Sequence, residues 1–304
     1  MNQLATSLTK GGIDYMNFNI GMRIPPKIGS EGIEKVASWA AEVELDTLDV
    51  SRLTPEVIAA CEKAGVGIGT VDVAQVGQLF SLDEKRRSDA IDSVKKQMTD
   101  IAALGGRVLF MCLVPEDHTL PRKDSFGIWK ETFPEIIQHA EQNGLYIAIE
   151  GWPGPAPYYP TLGCTPETLR AMFNTIPSKH FGMTYDPSHL VRLGIDYIRV
   201  LSEFGERVNH CHGKDTEMLT DDLYECGVLQ STFTEKYLFS EGSWRYTIPG
   251  HGEVDWGKVA IRLQQLGYNG PISIELEDHR YWGTLEAEQQ GIVKAAQYLR
   301  RYVK

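Results

Sequence analysis

Short runs of apolar and β-branched residues recur along the chain, separated by longer stretches whose apolar positions fall at helical spacing. The short runs predict strands over Met16–Met22, Thr47–Ser51, Gly67–Val73, Arg107–Leu113, Leu145–Glu150, Phe181–Asp186, Arg207–His212 and Pro271–Glu277. The stretches between them predict helices over Glu31–Val43, Pro55–Ala64, Leu82–Ala103, Ser125–Gln142, Pro166–Asn174, Asp196–Phe204, Trp256–Leu266 and Leu285–Tyr302. Gly65, Gly105, Gly144 and Gly267 sit where a preceding helix would stop. Strand and helix alternating eight times predict parallel βαβ units, with a closed α/β architecture, the (β/α)8 TIM barrel, as the leading solution and an open doubly wound sheet as its rival. A single domain over residues 1–304 is expected, because barrels often run to this length around one core. The longest irregular stretch, about 214–250, has the length of a lid or binding loop.

Side chains alternate faces along a strand, and this alternation singles out candidate chemistry. In YIAIEGW, Ile147 and Ile149 take one face while Ala148, Glu150 and Trp152 take the other. Phe181, Met183 and Tyr185 are bulky and face the helices, so Gly182, Thr184 and Asp186 face the barrel. Ser273, Glu275 and Glu277 share an inner face opposite Ile272, Ile274 and Leu276, and His210, His212 and Lys214 share another. The last four strands therefore end in Glu150, Asp186, His212 and Glu275. In a barrel the C-terminal strand ends form the active-site face, and four inward polar groups there need a cation or a hydrogen-bond network. Three carboxylates and one imidazole form an oxygen-rich donor set. One divalent metal is expected, Mn2+ first, with Mg2+, Co2+ or Zn2+ as alternatives.

Composition narrows the partners. The formal net charge of -11 repels phosphate backbones and argues against nucleic acid. Hydrophobic residues make up 42% of the chain, yet no apolar run approaches the roughly 20 residues a membrane span needs. The five cysteines, an odd number with no CxxC pair, fit a reducing cytoplasm better than a disulfide framework. The first residues show no signal-peptide pattern.

The segments IAIEG at Glu150, YDPSH at Asp186 and His189, HCHGKD at His212, PGHGEVDWGKV, and GYNGPISIELE at Glu275 are what carry a family resemblance. Taken in this order, the chain resembles the sugar isomerase/epimerase superfamily of xylose isomerase-like barrels, well over about residues 100–300 and weakly before them. The resemblance implies Glu150, Asp186, His212 and Glu275 as metal ligands, Glu150 and Glu275 as the acid/base pair, and His189 as a group touching substrate oxygen. It implies a carbohydrate substrate, a ketose-like molecule whose α-proton is removed to give a metal-stabilised enediolate. Return of the proton to the same carbon would epimerise, return to its neighbour would isomerise, and loss of hydroxide from the β-carbon would dehydrate. Ala156 and Met218 stand where sugar epimerases often carry a Glu and an Arg, while Lys214–Asp215 follows the HxKD pattern of inosose dehydratases. That departure leaves dehydration as the alternative, with a non-catalytic carbohydrate-binding relative ranked last. The absence of an Asp-x-His between His212 and Glu275 separates the chain from the endonuclease IV branch.

Further residues have two readings. Asp186 before Pro187 could simply cap a helix. His210 is expected to be an interior histidine supporting a ligand, and Glu277 a rim group. Lys214 could hold a substrate oxygen or pair with Asp215. Trp152, Tyr158 and Trp244 could stack on a sugar face. His251 could reach the site from the long loop, and Asp49 and Asp72 could line the pocket. A homodimer is expected.

Overall fold

A computed structural model describes residues 18–303. Eight parallel strands close into a barrel: β1 (Ile20–Arg23), β2 (Thr47–Val50), β3 (Gly67–Asp72), β4 (Val108–Cys112), β5 (Tyr146–Glu150), β6 (Phe181–Tyr185), β7 (Val208–Gly213) and β11 (Ile272–Ile274). Strand β11 completes the ring by pairing with both β7 and β1, Ile272 lying opposite Cys211 and Ile20. This closure excludes the open doubly wound sheet.

The predicted helices form around the ring, with ends set by local chemistry. Thr54 and Asp83 cap the helices Pro55–Ala64 and Glu84–Ala103 by accepting N–H bonds from Val57 and Arg86. A reciprocal Thr165–Thr168 pair opens Pro166–Thr175. The outward strand residues Ile147, Ile149, Phe181, Met183, Tyr185, Ile272 and Ile274 are buried beneath Trp129, Phe133, Trp256 and Leu299. Each such side chain contributes roughly 1.5–3 kcal/mol over an exposed one.

Three differences from the sequence reading affect the site. The first strand begins at Ile20 and reaches Arg23, whereas Met16 and Asn17 lie outside the described residues. The last strand leaves the ladder after Ile274, so Glu275 is carried on the chain just past its end. The stretch after His212 is only partly irregular. It holds a three-stranded antiparallel sheet of β8 (Asp215–Met218), β9 (Ser240–Glu241) and β10 (Trp244–Thr247), with a helix at Thr220–Cys226. The register places Tyr246 opposite Thr216 and brings this sheet against the helix Pro187–Arg192 at the barrel mouth. Among the described residues no helix is long and apolar enough to cross a membrane.

Candidate active site

Glu150, Asp186 and His212 are all buried, and their side chains meet inside the mouth of the barrel together with that of Glu275. The His212 Nδ1 atom lies 3.0 Å from Glu150 Oε2, 3.4 Å from Glu275 Oε2 and 3.8 Å from Asp186 Oδ2. Glu150 Oε2, Asp186 Oδ2 and both ring nitrogens of His212 are buried without a partner in hydrogen-bond geometry among the described residues. Buried polar atoms are normally satisfied. Three of these orphans, Glu150 Oε2, Asp186 Oδ2 and His212 Nδ1, converge on one point and fit a set of donors around one small divalent cation, while His212 Nε2 turns toward Asp49.

Asp186 caps a helix and still offers an oxygen to the cage. Its Oδ1 accepts the backbone N–H of Ser188 at 2.8 Å and the Ser188 hydroxyl at 2.6 Å, capping Pro187–Arg192, while Oδ2 faces the cage. His210 lies lower, its Nε2 2.9 Å from Asp49 Oδ2. Asp49 also accepts the Thr70 N–H at 2.8 Å and passes 3.8 Å from His212 Nε2. Only glycine fits at position 69, because a Cβ there would come within 2.2 Å of Asp49 Oδ1. Burial alone would raise the Asp49 carboxyl, but the neighbouring His210 holds it below the usual range.

Lys214 is the cation of the cage. Its ammonium is 1% exposed, donates to Glu275 and Glu277 (2.9 Å to the latter) and lies 3.2 Å from Asp186 Oδ2. Burial would strip its charge, and the surrounding Asp186, Glu275 and Glu277 restore it, raising the amine well above normal. The same balance holds Glu275 well below the carboxylate range: burial is outweighed by Lys214 and His212. Glu150 is likewise held low, with His212 and His189 overcoming burial, and His212 is raised because Glu275 and Glu150 outweigh burial. Glu150, Asp186, Glu275 and Glu277 outnumber the cations Lys214 and His212 among them, and a divalent cation would offset the remaining negative charge.

A cavity of about 200 Å3 opens onto this cage, lined by Phe110, Cys112, Glu150, Trp152, His189, Lys214, Glu275 and Glu277. His189, Lys214 and Trp152 thus join the four proposed ligands at one place. His251 does not: it is exposed, its ring 6.2 Å from Tyr281, and is not among the cavity's lining side chains. Tyr158 is 59% exposed, and Trp244 is covered by the Arg192 guanidinium at 3.8 Å. Lys214 and Asp215 do not pair, because Asp215 turns to the backbone amides of Thr216, Gly250 and Val254. Asp72 is held bidentately by Arg23 at 2.8 and 2.9 Å; Arg23 also lies 3.6 Å from Glu275 Oε1 and 4.4 Å over the Phe110 ring. Arg23, Phe110, Cys112 and Tyr246 enter the site without a comparable signal in the sequence. The only hints are Arg23's place at the start of the Pro-Pro turn and the alternation of WRYT.

The model of the xylose isomerase-like TIM barrel family matches residues 27–302, and the chain belongs to that family. Among curated relatives it is 31% identical over 200 residues to the inosose dehydratase of Lactiplantibacillus plantarum, covering 62% of this chain and 61% of that protein. It is 30% identical over 153 residues to the uncharacterized protein YfiH of Bacillus subtilis, covering 49% and 45%. The matches span about half the length of these curated relatives. Among solved structures, D-psicose 3-epimerase from Clostridium cellulolyticum H10 superposes with a TM-score of 0.69 at 13% identity, over 94% of this chain and 99% of that one. The 3-keto-D-glucoside 4-epimerase YcjR from E. coli gives 0.66 at 16%, over 94% and 100%. At these identities the likeness is one of fold.

Proposed function

We propose that the protein is a divalent-metal-dependent isomerase or epimerase that moves a proton at the carbon beside the carbonyl of a keto-sugar. The observation that carries this reading is the placement of Glu150 and Glu275, from β5 and the end of β11, on one small cavity beside the unpartnered donor atoms of Asp186 and His212. Glu150, Asp186, His212 and Glu275 would hold the ion, Mn2+ being the first choice. When bound, the ion polarises the substrate carbonyl and acidifies the neighbouring C–H bond.

The side chains supply the proton traffic. Glu150 and Glu275 are both held ionised, so either can accept a proton from carbon. Epimerisation requires a proton at the opposite face, which the second glutamate would deliver from its protonated form, and Lys214 would hold Glu275 in position for this by donating to it and to Glu277. Isomerisation needs one carboxylate at carbon, which returns the same proton to the next carbon, while a proton passes from the neighbouring hydroxyl oxygen to the former carbonyl oxygen. Trp152 and Phe110 give the cavity apolar walls, and a volume near 200 Å3 suits a single sugar or cyclitol better than a polymer.

Dehydration is the second reading, favoured by the similarity to an inosose dehydratase. It shares the first step, removal of the α-proton by a glutamate, and differs in that a β-hydroxyl leaves with a proton from Lys214 or Glu277. The test is incubation of Mn2+-loaded protein in D2O with ketohexoses, ketopentoses and ketocyclitols. Deuterium at the α-carbon with an epimer or aldose as product supports the first reading, and a product lighter by one water supports the second. Metal-loaded protein that exchanges no α-proton in any of them would sink both.

We further expect a reducing compartment, since all five cysteines are unpaired, and a homodimer. Seven of the twelve exposed large apolar residues among those described, including Tyr224 at 88% and Phe233 at 98%, lie between Leu223 and Leu238. A patch of this kind is unusual on a monomer.

A further inference from the structure

His189 has two ring nitrogens, and the proton positions on them decide what the residue can do. Its Nδ1 lies 2.5 Å from the Tyr246 hydroxyl, and its Nε2 faces the cage, 3.1 Å from Glu150 Oε1, 3.4 Å from Asp186 Oδ2 and 3.4 Å from Lys214 Nζ. The Tyr246 oxygen also receives a bond from Arg192 Nη1 at 2.9 Å. A guanidinium has only donors, so that bond uses a lone pair of the tyrosine oxygen. Among the described residues the Tyr246 hydrogen then has one acceptor within reach, His189 Nδ1. Both His189 and Tyr246 are buried, at 2% and 3% exposure.

We infer that Arg192 and Tyr246 lock His189 in the tautomer that carries its proton on Nε2, so that the ring presents a fixed N–H to the cage, where Glu150 Oε1 is the nearest oxygen at 3.1 Å. The opposite tautomer fails twice. It would strand the Tyr246 hydrogen in a buried place, and it would turn the Nε2 lone pair toward the oxygens of Glu150 and Asp186. The imidazolium also strands the tyrosine hydrogen. Lys214 could donate to a bare Nε2, but two of its three hydrogens go to Glu275 and Glu277, and the third has the charged Asp186 Oδ2 nearer, at 3.2 Å against 3.4 Å.

This assignment has a consequence for the neighbouring glutamate. Glu150 Oε1 accepts the Gly151 N–H at 3.1 Å and lies 3.1 Å from His189 Nε2, which leaves Oε2 as the unpartnered oxygen turned to His212. Arg192 and Tyr246 are therefore positioning residues, which act through His189 on which oxygen Glu150 presents. Arg192 is itself anchored on Glu241 at 2.8 Å and on the Trp244 ring, so the β9–β10 edge of the mouth sheet belongs to the site's machinery. The inference deepens the function proposed above and rests on it for the meaning of the lock, though not for the lock itself.

The experiment reads the ring directly. Long-range proton–nitrogen NMR spectra of full-length protein with 15N-labelled histidine rings would be recorded, His189→Gln identifying the His189 signals. The expected wild-type pattern is a protonated Nε2 and an unprotonated Nδ1. In Tyr246→Phe that pattern should give way to a mixture, with the proton moving in part to Nδ1. A wild-type ring protonated at Nδ1, or at both nitrogens, overturns the inference. So does an unaltered Nε2–H pattern in Tyr246→Phe. Because the spectra require no turnover, failure of the lock and failure of the proposed reaction are distinguishable. Where turnover is measured, Tyr246→Phe is expected to lower kcat by about 10–100-fold at near-constant KM, the range typical of groups that orient ligands.

Discussion

Two sets of buried carboxylates lie close together at the mouth of the barrel, and the fold treats them in opposite ways. Asp215 is fully buried, and the backbone fills its lone pairs: Oδ1 accepts from Thr216 and Val254 at 2.8 and 2.9 Å, and Oδ2 from Gly250 at 3.1 Å. The turn wraps so closely that a Cβ at Gly252 would lie 2.3 Å from Oδ1. Glu150 and Asp186 are as deeply buried, yet each keeps one oxygen with no hydrogen-bond donor. A carboxylate satisfied by amides holds a turn together, whereas carboxylates with convergent free oxygens are prepared for something that is not protein.

The contrast can be broken from the side of the cage first. Glu275→Gln or Glu150→Gln should lower kcat/KM by about 10³-fold through loss of acid/base action, read as α-deuterium incorporation from D2O. Retention of full exchange by either variant would defeat the two-carboxylate reading. Next in size, Mn2+ at about 100 times its Kd should stabilise the wild type by about 2.7 kcal/mol in scanning calorimetry. His212→Gln should lose that increment, while Asp215→Asn should keep it.

Asp215 sharpens the comparison through pH. Burial raises its carboxyl to about 6 despite the amide bonds that favour ionisation. Its folded value exceeds its unfolded one, so its contribution to stability is complete in acid and is lost as pH rises through about 6. Urea unfolding of wild type against Asp215→Asn should show the wild type losing about 2 kcal/mol relative to the variant between pH 4.5 and 7.5. A constant difference would show that the group titrates normally. The smallest effect is expected at the apolar patch. Phe233→Ser should change stability by no more than about 0.5 kcal/mol while shifting sedimentation toward monomer if this face joins two copies.

Most of the barrel is legible along the chain because each βα unit is locally encoded. Outward Ile147, Ile149, Met183 and Tyr185 alternate with inward Glu150 and Thr184, and Thr54–Pro55 and Thr165–Pro166 mark helix starts. The convergence of Glu150, Asp186, His212 and Glu275 follows from the same alternation once the sheet closes. What is not legible depends on pairings between distant segments. Tyr246 reaches His189 only because β10 lies against β8 and the helix Pro187–Arg192, a register no local pattern announces. His251 follows the same excursion, and its Gly-flanked turn carries it outward beside Tyr281. Arg23 joins Asp72 and Glu275 because the first strand runs one residue further than its apolar pattern.

On the proposed function, Asp186 would join folding to ion capture. One of its oxygens closes the first turn of a helix, so the other is aimed as soon as that helix forms. An arriving cation would find this donor already at rest, with no rotamer left to choose. Metal uptake should therefore be governed by how fast water and ion exchange at the mouth, and a loosened helix cap would appear first as slower capture and faster escape of the ion.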